Sequence, residues 1–277
     1  MIVRRMTQED REDGVKIWRA VFGDSEAFTE WYFRERFCPA FSYAAFDGTR
    51  MAAMTLGRPT VIRAENRLHD ALLISGVSTV PEYRQKGLMH TLVSMQTETA
   101  KAQGFSCCCL HPVSETLYTS LGFRNGTHTR LITSCAKRRH LPFSIREGID
   151  LFAMRTVYDA LLSTHDGMQI RDDAELCALL RDYGADGYRM FTAYAEDRPQ
   201  GYLIVLGGGA VAELLALCSS AYEALIDTAA CLLETELKTV VPADCGTDGE
   251  LVYGMQYLVF ENAFELPLKN GFCQLTY

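Results

Sequence analysis

The stretch Ile74-Ser75-Gly76-Val77-Ser78-Thr79-Val80-Pro81-Glu82-Tyr83-Arg84-Gln85-Lys86-Gly87-Leu88-Met89-His90 decides the fold. Ala71 to Val80 reads as an apolar strand that Pro81-Glu82-Tyr83 stops, and a helix follows from near Gly87 to the stop signal at Gly104. A strand that ends in a basic, glycine-bearing turn and feeds a helix presents several backbone N–H groups in one direction. The positive end of the helix dipole lies behind them, and the combination suits a pyrophosphate. Gly87 lets the backbone approach a ligand closely, while Arg84 and Lys86 add attraction. A basic turn that binds nothing fits this segment equally well, because short glycine motifs occur by chance.

The elements on either side build a mixed α/β pattern. Downstream, Phe105 to Leu110 is a short apolar strand, Ser114 to Leu121 a short helix closed by Gly122, and Arg130 to Cys135 a strand. Upstream, Thr7-Gln8-Glu9-Asp10 reads as a capping box, after which Val15, Ile17, Trp18, Val21 and Phe22 recur on a helical period. A second helix from about Ser25 turns Phe28, Trp31, Tyr32 and Phe33 inward. Ser42 to Phe46 is a strand, and Asp47-Gly48 is a hairpin signal into a long strand from Arg50, where Pro59 marks an edge or a bulge.

The second half repeats this order. Helices are expected around Ile149–Ser163 and Asp172–Tyr183, strands at Met190–Ala195, Gly201–Leu206 and Val211–Leu217, and a helix from Ser220 to about Lys238. Further strands fit Val240–Ala243, Leu251–Phe260 and Phe272–Thr276. The echo suggests a diverged internal duplication.

Composition narrows the class. The 277 residues are 48% hydrophobic and 22% charged, which excludes an intrinsically unfolded chain. The longest uncharged apolar stretch, Tyr202 to Ala212, carries three glycines and falls short of a membrane span, so no membrane partner is expected. No apolar leader follows Met1-Ile2-Val3-Arg4-Arg5, and a cytoplasmic location is expected. The ten cysteines include the run Cys107-Cys108-Cys109 but no Cys-x-x-Cys pair, so they read as buried thiols in a reducing compartment, with no metal site.

Charge divides the chain. Residues 1–140 hold 19 Lys and Arg against 14 Asp and Glu, a balance of +5, and residues 141–277 hold 8 against 21, a balance of −13, together the −8 of the whole. This split places a domain boundary near Lys137-Arg138-Arg139-His140-Leu141-Pro142, giving domains 1–140 and 141–277. It also argues against a nucleic-acid partner, which needs a concentrated basic face.

Arg84-Gln85-Lys86-Gly87-Leu88-Met89 resembles the Arg/Gln-x-x-Gly-x-Gly/Ala loop of the GNAT superfamily of acyl-CoA-dependent N-acyltransferases, with Val77-Ser78-Thr79 on the strand before it. Leu110-His111-Pro112-Val113-Ser114 and Tyr118-Thr119-Ser120-Leu121-Gly122-Phe123 look like that family's later signature. The match is dense from Ile74 to Asn125 and loose over the first 135 residues; Met89 departs from it, standing where Gly or Ala is usual. Gly76-Val77-Ser78-Thr79-Val80-Pro81-Glu82-Tyr83-Arg84 followed by Gly87-Leu88-Met89 resembles the Eis-like (enhanced intracellular survival) branch, whose members fuse two GNAT-type units. Relatives of that branch usually add a sterol-carrier-like domain, which this chain is not expected to hold in full.

The resemblance implies an α/β (α+β) mixed sheet repeated in tandem and an N-acetyltransferase that uses acetyl-CoA as co-substrate. Val77, Ser78 and Thr79 would pair with the pantetheine arm and polarise the thioester carbonyl. Arg84, Gln85, Lys86, Gly87, Leu88, Met89 and His90 would hold the diphosphate, with Val113 and Ser114 contributing to the cofactor site. Tyr118 would be the general acid, since a phenol with an ordinary pKa of about 10 stays protonated at neutral pH. The general base stays open between His111, a water chain and the C-terminal carboxylate of Tyr277, the last implied by the Eis-like pattern.

The second half offers Cys218-Ser219-Ser220-Ala221-Tyr222-Glu223 at the corresponding place, with no glycine or basic residue for phosphates, and is expected to be degenerate. Gly207-Gly208-Gly209 precedes a strand and fits a hairpin loop. The acceptor is expected to be an amine on a small molecule or peptide. A non-catalytic acyl-CoA-binding or regulatory module is the alternative, or an acyl- or aminoacyl-transferase of the same fold. A homo-oligomer is compatible with the sequence.

Overall fold

The computed structural model describes residues 1–114, 116–137, 141–242, 250–268 and 271. The chain forms two units, Met1–Gly126 joined by Gly254–Leu268, and Thr127–Tyr253.

The first unit contains β1 (Ile2–Arg5), α1 (Arg11–Phe22), α2 (Glu26–Glu35), β2 (Tyr43–Asp47), β3 (Arg50–Ala64), β4 (Arg67–Thr79), α3 (Leu88–Ala102), β5 (Cys107–Leu110) and β6 (Arg124–Asn125). Its seven-stranded sheet has the order β1-β2-β3-β4-β5, then the strand Gln256–Val259, then β6. Every pairing is antiparallel except β4 with β5, which α3 connects as a crossover.

Local sequence accounts for these elements. The capping box forms: the backbone N–H of Thr7 donates to Asp10 Oδ2 at 2.7 Å, and Arg4 clamps the same carboxylate through bonds of 2.7 and 2.8 Å. The guanidinium of Arg4 holds the Asp10 carboxyl below its usual range. Gly23 ends α1 in the left-handed conformation, and Ser25 caps α2. Trp18, Tyr32 and Phe33 then bury their rings against Met54 and Leu56 on one face of the sheet. On the other face, Val93 and Ala100 of α3 pack with Leu72, Cys108 and Leu110. Cys107, Cys108 and Cys109 are free and buried, and burial pushes the Cys107 and Cys108 thiols up, so they act as small hydrophobes. Pro59 pairs with Leu72 beyond the end of the β2 ladder, so its missing N–H lies on the edge of β3 where only β4 is a partner.

The second unit contains β7 (His128–Ser134), β8 (Ser144–Glu147), α4 (Leu151–Leu162), α5 (Asp173–Asp186), β9 (Tyr188–Ala195), β10 (Arg198–Leu206), β11 (Val211–Ala216), α6 (Ser219–Leu233), β12 (Leu237–Pro242) and β13 (Glu250–Tyr253). The strand Gln256–Val259 of the first unit is β14. The second unit's strands run β11-β10-β9-β8 and β12-β7-β13, with a parallel bridge between Ala210 and Lys238. Among the described residues, both units share one plan. An antiparallel meander leads through a helical crossover to a strand that accepts a partner from the other half of the chain: β14 beside β5, β7 beside β12.

That exchange corrects two sequence expectations. The division falls after Gly126, not at 140, because β7 pairs with β12 and β13. The single strand expected over Leu251–Phe260 is two, β13 and β14, which belong to different units. The helix expected to reach Lys238 stops at Leu233, where Glu234 turns left-handed at φ 50°. The short helix expected from Ser114 is only a 3-10 turn, Thr119–Leu121, closed by Gly122 at φ 87°. The expected strand Phe272–Thr276 lies outside the described residues. Gly207–Gly209 does connect the antiparallel pair β10 and β11.

Candidate active site

The parallel ladder between β4 and β5 runs through Ala71↔Cys107, Leu72↔Cys108 and Leu73↔Cys109 and ends there. β4 continues along β3, whereas β5 follows β14, with Leu110 opposite Gln256. The register on β3 then slips. Leu56 faces Ser75 and Met54 faces Ser78, so Gly76 and Val77 of β4 oppose the single residue Thr55. Such a bulge bends its strand and re-aims the residues in it. Gly76 adopts φ +57°, and a Cβ there would lie 2.6 Å from Trp18 Cζ3, so both conformation and space demand glycine.

A cleft of about 520 Å³ opens where the strands part. Val77, Ser78 and Thr79 form one wall. Arg84, Gln85 and Gly87, with Leu88, Met89 and His90 of the first turn of α3, form another, and Leu110, His111, Val113, Leu117 and Tyr118 the third. Arg84 Nε donates to the carbonyl of Thr79 at 3.2 Å and ties the loop to the end of β4. Gln85 is left-handed at φ 62°, as is Gly87 at φ 73°. Gly87 is the N-cap of α3 and supplies no side-chain acceptor; the first turn holds no acidic residue. The N–H groups of that turn are therefore suited to an anion from outside. The space beside Gly87 is open, since a Cβ there would meet nothing within 4 Å.

Tyr118 is 5% exposed, edge-on to Phe123 with ring centroids 6.0 Å apart, and packed with Ile74, Val93 and Leu110. The turn that holds it donates from the N–H groups of Leu121 (3.0 Å) and Phe123 (3.3 Å) to its carbonyl. His90 and His111 are exposed on the cleft. Lys86 and Ser114 do not line it. The Lys86 ammonium lies 4.7 Å from the centre of the Tyr83 ring, whose hydroxyl donates to Asp47 at 2.8 Å, and Ser114 faces Thr116 at 3.5 Å. The C-terminal carboxylate of Tyr277 lies outside the described residues. Met89 packs partly into the cluster around Tyr118, a place a side chain can occupy without displacing the loop backbone.

Val21, Phe22, Ser75 and Leu117 are among the lining residues the sequence did not assign to the site, as are Ile74, Gly76, Tyr83 and Leu110. The first two satisfied the apolar helical period and read as core. The Ser75-Gly76 pair, polar then conformationally free inside an apolar strand, was the available signal of a bulge. Among the described residues no group of three His, Cys, Asp or Glu is placed to hold a metal, and no helix is long and apolar enough to cross a membrane.

A mixed sheet that splays after one parallel pair, with a bulged strand and an uncapped helix N-terminus on the gap, is the arrangement of a chain whose fold is similar to that of solved GNAT proteins. Residues 2–126 match the family model of the acetyltransferase (GNAT) domain. A conserved protein from Enterococcus faecalis V583, described as a probable N-acyltransferase, superposes at TM-score 0.72 with 16% identity, over 93% of this chain and 72% of that one. Eis1 from Mycobacterium abscessus does so at TM-score 0.69 with 13% identity, over 94% and 74%. A tandem GNAT protein from the clavulanic acid biosynthesis pathway does so at TM-score 0.60 with 9% identity, over 93% and 98%. At these identities the likeness concerns the fold. No curated protein matches the sequence.

Proposed function

We propose that the first unit transfers an acetyl group from acetyl-CoA to a primary amine of a small molecule or peptide by direct attack. The observation that carries this reading is one cleft lined by the β4 bulge, the open N-terminus of α3 and Tyr118. The amides of Leu88, Met89 and His90, with Arg84, hold the diphosphate. Lys86 adds charge from its place over Tyr83, Gln85 borders the diphosphate, and Val113 borders the arm. Amides of Val77–Thr79 bind the pantetheine and polarise the thioester carbonyl, each such donor contributing roughly 3–4 kcal/mol at the transition state. The amine nitrogen attacks the carbonyl carbon and the C–S bond breaks. The leaving thiolate takes the Tyr118 hydroxyl proton, while the nitrogen gives up its own to His111, the C-terminal carboxylate or water. Tyr118 then recovers a proton from solvent.

The tandem plan of the chain supports an Eis-like layout. A single bridge between the β11 and β12 edges, with no basic residue at the start of α6, supports a second unit that binds no acyl-CoA. The free thiols of the described cysteines favour a reducing, cytoplasmic setting.

The deep packing of Tyr118 favours one rival, a binding module in which that ring is purely structural. Titration calorimetry with acetyl-CoA and a thiol-release assay over an amine panel separate the two. Binding with no release for any amine rejects the transferase. Replacing Tyr118 by Phe lowers kcat by at least about 10²-fold with acetyl-CoA affinity unchanged if the phenol is the acid; an unaltered rate removes it from the mechanism.

A further inference from the structure

Two buried hydroxyls meet at the α1 side of the cleft, and the proposed chemistry gives them no task. Tyr32 of α2 is 3% exposed, Ser75 of β4 is 8% exposed, and their oxygens lie 2.6 Å apart. Ser75 lines the cleft; Tyr32 stands behind it. The two faces of β4 separate the groups at hand. Ile74 packs with Leu110 and Tyr118 on the α3 face. Ser75 pairs in register with Leu56, which packs with Trp18 and Tyr32 on the α1–α2 face. Ser75 thus immediately precedes the bulge residues Gly76 and Val77, on the opposite face of the strand from Ile74 and its Tyr118 cluster. Val21 and Phe22, at the end of α1, line the same cleft, and Phe22 is 40% exposed.

A hydroxyl carries one proton and two acceptor positions. Either hydroxyl could donate in this bond. With the phenol, the more acidic of the two, as donor to Ser75 Oγ, Ser75 keeps one acceptor position, fixed in direction by that bond. A neutral primary amine has two N–H groups and one lone pair. Giving one N–H to a fixed acceptor aims the lone pair, and such orientation lowers a bimolecular barrier.

We propose that Ser75 Oγ accepts an N–H of the acceptor amine, that Tyr32 is its positioning residue, and that Val21 and Phe22 pack on the carbon body that carries the amine. The acceptor class is then a primary amine on an otherwise uncharged, apolar alkyl or arylalkyl body. This rests on the transferase reading above.

The test uses the full chain, acetyl-CoA, and 2-phenylethylamine and spermidine as probes. Wild type acetylates 2-phenylethylamine with a kcat/KM at least about tenfold above that for spermidine. Ser75→Ala and Tyr32→Phe each lower kcat/KM for 2-phenylethylamine about tenfold, as expected for one lost hydrogen bond, with acetyl-CoA affinity by calorimetry unchanged. The double variant is no worse than Ser75→Ala alone, because both changes remove one device. Ser75→Thr, which keeps the hydroxyl, retains most of the activity. Calorimetry of 2-phenylethylamine on CoA-saturated protein shows the same loss without turnover. Full kcat/KM in Ser75→Ala, multiplying losses in the double variant, or a preference for spermidine overturns the proposal while leaving the transferase intact. Acetyl-CoA binding without thiol release from any amine fails the transferase and this inference together.

Discussion

Gly76 rests against Trp18: a Cβ added to Gly76 would stand 2.6 Å from Cζ3 of that indole. Trp18 cannot retreat easily, since it is 3% exposed, its Nε1 donates to Asp24 Oδ2 at 2.7 Å, and Tyr32 and Phe33 pack around it. Gly76→Ala meets both that wall and a left-handed φ. The variant is expected to lose about 1–3 kcal/mol of stability. Because the same residue sets the bulge, acetyl-CoA affinity should fall with it. Thermal unfolding and calorimetry on one preparation check this; a variant with wild-type melting and affinity would show that the strand needs no glycine there.

Arg84 offers a cleaner separation of charge from fold, since it is exposed and its one described bond runs to the Thr79 carbonyl. Arg84→Ala is expected to weaken acetyl-CoA binding about five- to tenfold with little change in melting temperature. The loss should shrink as salt rises from 0.05 to about 1 M, where the screening length drops to about 3 Å. Calorimetry across that range decides the matter. A salt-independent loss would assign Arg84 to loop geometry instead of charge.

Much of this was legible in the sequence because it is local. The capping box at Thr7, the basic turn before α3 and the Tyr118 to Phe123 signature are short patterns whose physics is complete within a few residues. What stayed hidden depends on distant pairing. Nothing near Arg130 announces that β7 belongs with β12 and β13, and nothing near Gln256 announces that β14 sits between β5 and β6. Burial misled in one place, where Phe22 kept the helical period of the core yet lines the cleft. The charge split pointed to residue 140, but charge reports on surfaces and the division is set by hydrogen-bonded strands.

Asp10 gives a pH dependence with a definite sign. Its carboxyl accepts from Arg4 and from the Thr7 backbone, and these bonds hold its pKa below the ordinary aspartate value. A depressed folded value means the unfolded chain binds the proton more readily. The stabilisation is therefore complete above the unfolded pKa and is lost as pH falls through the folded one. Asp10→Asn removes the charge and one side of the clamp, so at pH 7 it should melt several degrees below wild type. The gap should narrow as pH falls below the ordinary aspartate range and close in strong acid. Melting curves of both proteins from pH 7 downward test it, and a constant gap at every pH would remove the ionised carboxylate as the cause.

The exchange of strands predicts what truncation does. A chain ended at Gly126 lacks β14, which supplies the antiparallel partner of Cys107–Leu110 and of Arg124–Asn125. It also lacks Tyr257, which is 1% exposed and packs so closely on Gly126 that a Cβ there would lie 2.3 Å from its ring. β5 is one edge of the candidate cleft, so losing its outer neighbour exposes a row of unpaired backbone groups beside the site. Residues 1–126 alone should be insoluble or bind no acetyl-CoA, although residues 2–126 match the acetyltransferase (GNAT) domain model. Joining Gly254–Leu268 to that fragment through a flexible linker should restore solubility and binding. Expression trials, circular dichroism and calorimetry distinguish the outcomes. A soluble 1–126 fragment with full affinity would mean that β14 contributes nothing the first unit cannot supply itself.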